Sequence, residues 1–119
     1  MLQTQEFYKL ISMKPIRLNG EFDVKRVWLN HEELSPESSK KIFNHSNNGF
    51  DWGNSGPGSA QLALAVLLEL TNDKKISMIL HHIFKNDYLT NLPKSNFDFV
   101  FNAGDWFYKN ISRNSSCLD

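Results

Sequence analysis

Cysteine is nearly missing from this sequence: Cys117 is the single one among 119 residues. It has no partner for an internal disulfide, so nothing in the chain asks for an oxidising compartment. An excess of charge is missing too. Lys plus Arg and Asp plus Glu each number 13, which gives zero net charge with the histidines neutral. A nucleic-acid binder shows a basic excess or patch and a DNA mimic a strong acidic excess, and neither is visible here. The most apolar stretch, 60–70, is far shorter than the roughly 20 residues that cross a bilayer. The N-terminus lacks the basic region and apolar run of a signal peptide. Three glycosylation acceptor patterns, at Asn44, Asn110 and Asn114, would matter only in a secreted chain. Together these absences predict a cytoplasmic protein with no membrane partner.

What the chain does have is concentrated between Gly49 and Leu70. A glycine-rich turn carrying Phe50 and Trp52 runs into a helix that is apolar on almost every side, with Gln61 and Glu69 its only polar side chains before Thr71. Such a helix is surrounded by its own domain or by a partner. Ser59 is the expected N-cap, with the helix running from Ala60. Aromatic residues make up 13% of the chain, enough to fill a core and leave a surplus for a contact surface.

Around that helix the pattern predicts an α+β fold in a single domain over 1–119, with a loose tail from about residue 114. A small antiparallel sheet packs on the central helix, with two further helices. Residues 1–14 read equally as helix or strand. Asn19-Gly20 is a strong hairpin-turn signal, followed by a strand at 24–29 with Val27 and Leu29 on one face and Arg26 and Trp28 on the other. Residues 34–41 form a turn or short helix. Asp73 caps a helix whose stripe is Ile76, Ile79, Leu80, Ile83 and Phe84, and Leu92-Pro93 stops it. Phe97–Phe101 reads as the last strand. Asn102 or Asp105 caps a final helix with Trp106, Phe107 and Ile111 facing inward.

Asn44-His45-Ser46, Gly49-Phe50-Asp51-Trp52-Gly53 and the Ala60–Leu67 string Ala-Gln-Leu-Ala-Leu-Ala-Val-Leu resemble an uncharacterised family of small proteins from bacteria, phages and conjugative elements. The resemblance continues through Phe84-Lys85 and Leu92-Pro93 to Ile111. The sequence departs from that pattern at Gly56-Pro57-Gly58-Ser59, where the family's order ends in Gly-Pro. The resemblance implies a mobile-element setting and assigns no activity.

Chemistry is hard to find in these residues. Gly53–Ser59 echoes a phosphate-binding loop, but the lysine after its second glycine is missing and no Lys or Arg lies between Lys41 and Lys74. Pro57 also removes a backbone donor, so a structural tight turn is the stronger reading. His81 and His82 are adjacent, about 100° apart on a helix, which does not suit one ion, and no acidic residue completes a ligand set. No metal and no cofactor is expected, and His81 reads as a half-buried histidine with a hydrogen-bond partner. Ser55 has no nucleophile-elbow context, and neither His45 nor Asp51 stands at a recognisable catalytic spacing.

The expectation is therefore a non-enzymatic binding protein. Phe50 and Trp52, two apart in an extended stretch, point the same way and either pack on the Ala60 helix or anchor a partner together with Trp28 or Trp106. The candidate contact residues are Trp28, Phe50, Asp51, Trp52, Asn54, Ser55, Ser59 and Trp106. A protein partner is favoured, because the basic pairs 25–26, 40–41 and 74–75 are interspersed with acidic residues and do not indicate nucleic acid. With a mobile-element setting, the target would be a host protein such as a defence component. The alternative is a small ligand or nucleotide held by the glycine-rich loop at the helix N-terminus.

Overall fold

A computed structural model describes residues 4–114, and the expected loose tail beyond them, with Cys117, lies outside the described residues. The fold is α+β, as expected. It contains α1 (Thr4–Ile11), β1 (Ile16–Glu21), β2 (Arg26–Leu29), β3 (Glu32–Leu34), α2 (Glu37–Ile42), α3 (Pro57–Thr71), α4 (Lys74–Phe84), β4 (Phe97–Phe101) and α5 (Ala103–Arg113). A π-helical turn, Lys85–Leu89, continues from the end of α4. Five helices replace the three expected, because 4–11 and 37–42 both become helical. Among the described residues, no helix is long and apolar enough to cross a membrane.

The four strands form one antiparallel sheet in the order β3-β2-β1-β4. The Asn19-Gly20 turn expectation is wrong. Both residues lie inside β1, paired with Trp28 and Val27 on one side and with Asp98 and Phe97 on the other. Glycine serves there for close approach: a Cβ at Gly20 would sit 2.5 Å from Phe97 Cε1 and 3.0 Å from Trp52 Cη2. The tight hairpin is instead Asn30-His31 between β2 and β3, where both residues have positive φ, 49° and 70°. That conformation matches the right-handed twist of the flanking strands, and Asn and His tolerate it better than most residues.

Ser59 is not the N-cap either. The helix α3 begins at Pro57 with Gly56 as its cap residue. Proline is suited to the first helical position, where its missing N–H would have had no partner. Ser59 is buried one turn in, and its Oγ approaches Asn54 Oδ1 at 3.4 Å. Asn54 organises the turn, its Oδ1 accepting the Gly56 N–H at 2.8 Å. Asp73 caps α4 as read, accepting the Ile76 N–H, and of the two candidates for α5 it is Asn102 that caps, accepting the Asp105 N–H.

The first nine residues of α3 after Gly58 are all buried, Ser59 through Leu67. Leu62, Ala63, Ala65, Val66 and Leu67 share one core cluster with the inner face of the sheet, which contributes Leu18, Val27, Leu29, Leu34, Phe97 and Phe101. The helix α1 packs on α5, and α4 on α3. The outward-facing strand residues Arg17, Asn19, Glu21, Arg26, Trp28, Glu33, Asp98 and Val100 all remain in contact with solvent.

Candidate functional site

The loop between α2 and α3 brings Phe50, Asp51, Trp52, Asn54, Ser55 and Ser59 together. Trp52 is completely buried, edge-on to Phe97 at 4.8 Å and to Phe22 at 5.7 Å between ring centroids, and its indole N–H donates to the Ser95 carbonyl at 2.9 Å. Phe50 is buried as well. Burial would raise the Asp51 carboxyl, but hydrogen bonds from Asn54, the Trp52 amide and Lys25 outweigh it and hold its pKa below the ordinary value. Lys25 Nζ reaches Asp51 at 3.1 Å while lying over the Phe22 ring, so the β1–β2 turn clamps the loop. Lys85 Nζ donates to the Ser55 carbonyl at 3.2 Å. The Asp51 main chain presses against Gly58, leaving no room for a side chain there. Trp106 lies apart from this loop, buried, with its indole N–H on Asp87 Oδ2 at 2.9 Å.

Trp28 is in a different place. It sits on the outer face of β2, between Asn19 and Glu33 in the cross-strand register, and is only partly covered. The period-two alternation of the strands puts Arg17, Glu21, Arg26, Asp98 and Val100 on the same face. Val100 is 63% exposed, the largest value among the exposed apolar residues. Two ion pairs cross the strands here. Arg17 Nε and Nη2 donate to the two Asp98 oxygens at 2.9 and 2.5 Å, and Arg26 does the same to Glu33 at 2.9 and 2.6 Å. These hydrogen bonds lower the pKa of Asp98 and Glu33 and raise those of Arg17 and Arg26. The Arg26 guanidinium also lies 5.5 Å from the Trp28 ring centroid. Arg17, Asn19, Glu21, Trp28 and His31 border a shallow open hollow.

A model of a family of unknown function, DUF6166, matches residues 18–107, more than half of the chain. The chain belongs to that family. It is, as the motifs implied, a family without an assigned activity. The matched segment spans the sheet from Leu18 onward, the loop and α3. No curated protein and no solved structure matches the chain.

Sequence reasoning named Trp28 but missed the other outer-face residues Arg17, Asp98, Glu33 and Val100. The signal was available for the strand residues as outward positions in alternation, but the mistaken turn at Asn19-Gly20 hid that β1 is central. It also missed a convergence of histidines. His81 is buried rather than half-buried, and its ring centroid lies 4.1 Å from that of His82 and 5.0 Å from that of His45. Adjacent positions on a helix do point apart at Cβ, but the imidazoles are long enough to lean together.

Proposed function

We propose that this chain is a non-catalytic binding domain that holds a protein partner against the open outer face of its sheet. One observation carries the reading: an exposed Val100 and a half-buried Trp28 share the outer face of the sheet with two fixed Arg–carboxylate pairs, and none of the described strand residues on that face is buried. Aromatic and arginine side chains dominate protein-binding hot spots, and a polar rim around them is typical. A nucleic acid fits this face poorly. Both arginines are already engaged by carboxylates, so a phosphate would have to displace Asp98 or Glu33, and the face has no cationic excess to draw it in. A partner that matches the face offers an apolar patch bordered by charges of both signs.

The alternative, an anion at the start of α3, is less supported. Asp51 packs against that first turn and holds Lys25 in an ion pair, Lys85 is engaged by the Ser55 carbonyl, and the loop's polar groups already bond one another. The family resemblance adds the setting: the protein acts in the cytoplasm on behalf of a phage or mobile element, and its partner is a host protein such as a defence component. The test is quantitative capture of a partner from nuclease-treated host lysate by wild type, Trp28→Ala and Val100→Glu. Loss of one stoichiometric partner in both folded variants supports the reading. Undiminished capture by both variants, or capture that disappears after nuclease treatment, overturns it.

A further inference from the structure

His45, His81 and His82 come from two separate stretches, the segment after α2 and the end of α4, and the possible ligand nitrogens of all three lie within 4.8 Å of one another. His45 Nε2 and His81 Nε2 are 2.9 Å apart. The protonation pattern of His81 follows from its other nitrogen. Nδ1 faces the carbonyl oxygens of Met78 at 2.9 Å and Ser77 at 3.2 Å, and carbonyls only accept. Nδ1 therefore carries the proton, and the Nε2 lone pair of the neutral ring points at His45. A backbone carbonyl on Nδ1–H is the arrangement that orients a metal-binding histidine and makes it more basic.

His45 is held just as deliberately. Gln61, completely buried in α3, accepts the backbone N–H of His45 at 2.7 Å and of Ser46 at 3.2 Å through Oε1. Its amide donates to Ser39 Oγ at 2.8 Å and to the Phe43 carbonyl at 3.2 Å. One polar residue in an otherwise apolar stretch thus ties down the segment that presents His45. His82 is exposed and leaves a path in from solvent. Immediately after it the helix changes character: the Lys85 N–H is shared between the His81 and His82 carbonyls, and the π-helical turn follows. Such turns recur at functional sites.

We propose that His45, His81 and His82 form a three-histidine site for a first-row divalent transition ion, Zn2+ being the physiological candidate. Three imidazole nitrogens with an open fourth position make a ligand set that zinc accepts, and neutral imidazole also suits copper and nickel. Tetrahedral ligation at Zn–N distances of about 2.05 Å places the nitrogens about 3.3 Å apart. The His45–His81 pair must open by only a few tenths of an ångström from 2.9 Å to meet that. Binding replaces the His45–His81 hydrogen bond with three metal–nitrogen bonds. The His45 Nε2 proton moves to Nδ1 of the same neutral ring, so no net proton is released.

The experiment uses untagged full-length protein, stripped with chelator and dialysed, and titrated with Zn2+ by calorimetry and with Co2+ by visible absorption. One equivalent is expected, with the intense visible bands of four-coordinate cobalt. His82→Ala, at an exposed position, and His45→Ala should each weaken Zn2+ binding at least about 100-fold, beyond the usual effect of losing an outer-shell partner. His31→Ala, on the outer face of the sheet, should leave it unchanged. Circular dichroism confirms that each variant is folded. No saturable binding, or binding that survives His82→Ala unchanged, or equal loss in His31→Ala, overturns the proposal.

Discussion

Gln61 Oε1 lies 2.7 Å from the backbone nitrogen of His45, sixteen positions earlier in the chain, and is its hydrogen-bond acceptor. The contact explains why a glutamine interrupts a helix whose other buried side chains are almost all apolar. The same amide satisfies Ser39, Phe43 and Ser46. Replacing it by leucine keeps the volume but leaves this group of partly and fully buried polar atoms without a partner, at about 1–3 kcal/mol for a buried group so stranded. Gln61→Leu is expected to lose about 2–4 kcal/mol in urea unfolding, more than an ordinary surface change. Gln61→Glu, which at neutral pH buries a carboxylate and turns one of its oxygens towards the Phe43 carbonyl, should be at least as destabilised as Gln61→Leu and recover in part as acid protonates it. A Gln61→Leu protein as stable as wild type would show that the 43–46 segment is held by other means.

The histidines also set a pH dependence. Burial first, then the nearby His82 and His45, lowers the His81 pKa from 6.5 to about 4. The unfolded chain therefore takes up a proton at higher pH than the folded chain does. Stability is full above about pH 6.5 and declines as pH falls towards 4, by at most roughly 3 kcal/mol at 1.36 kcal/mol per pKa unit. This window lies above the range where Asp51 and Asp98, held below their ordinary values, lose their own stabilising contribution. Urea midpoints measured in chelator from pH 7.5 to 4.5 should fall steadily, and the slope should flatten in His81→Gln. A wild-type profile flat across that interval would contradict the buried, neutral assignment of His81.

Much of this architecture was legible because local signals and packing agreed. The alternating Arg26–Leu29 strand, the Asp73 and Asn102 caps, the apolar α3 and the inward face of α5 all follow from spacing and cap chemistry. Asn19-Gly20 misled because its turn chemistry is genuine, while long-range packing of Phe97 and Trp52 demanded a glycine at the same place. Ser59 misled because its hydroxyl suits an N-cap, but Pro57 starts the helix earlier. The open face of the sheet depended on which side the helices would cover, which no local pattern contains. The histidine cluster depended on a contact across 36 positions, between His45 and His81.

Gly20 supplies a direct check on that packing account. Its backbone is ordinary β-strand, so alanine costs nothing in φ and is, if anything, a better strand residue. The added methyl group would meet Phe97 Cε1 at 2.5 Å and Trp52 Cη2 at 3.0 Å, both parts of large rings in the core. Gly20→Ala is expected to destabilise by about 1–3 kcal/mol through overpacking. Pairing it with Phe97→Leu, which removes the closest atoms, should recover part of the loss in a double-mutant cycle. Additive effects of the two changes would mean that the contact is not the cause.

The two tryptophans nearest the sheet should separate folding from recognition. Trp52 is completely buried, with its indole N–H bonded to Ser95, and truncation leaves a large cavity. Trp52→Ala is expected to cost about 3–5 kcal/mol, enough to unfold a marginal domain. Trp28 lies on the outer face with solvent on one side and the Arg26 guanidinium nearby. Trp28→Ala should cost no more than about 1 kcal/mol, consistent with its loss of cross-strand contacts on one face. Thermal unfolding of both variants, set beside partner capture, distinguishes the roles. The expected pattern is a stable Trp28→Ala protein that no longer binds its partner and a destabilised Trp52→Ala protein. If instead Trp28→Ala unfolds as readily as Trp52→Ala, Trp28 is a structural residue, and the outer face of the sheet loses its central contact as a recognition surface.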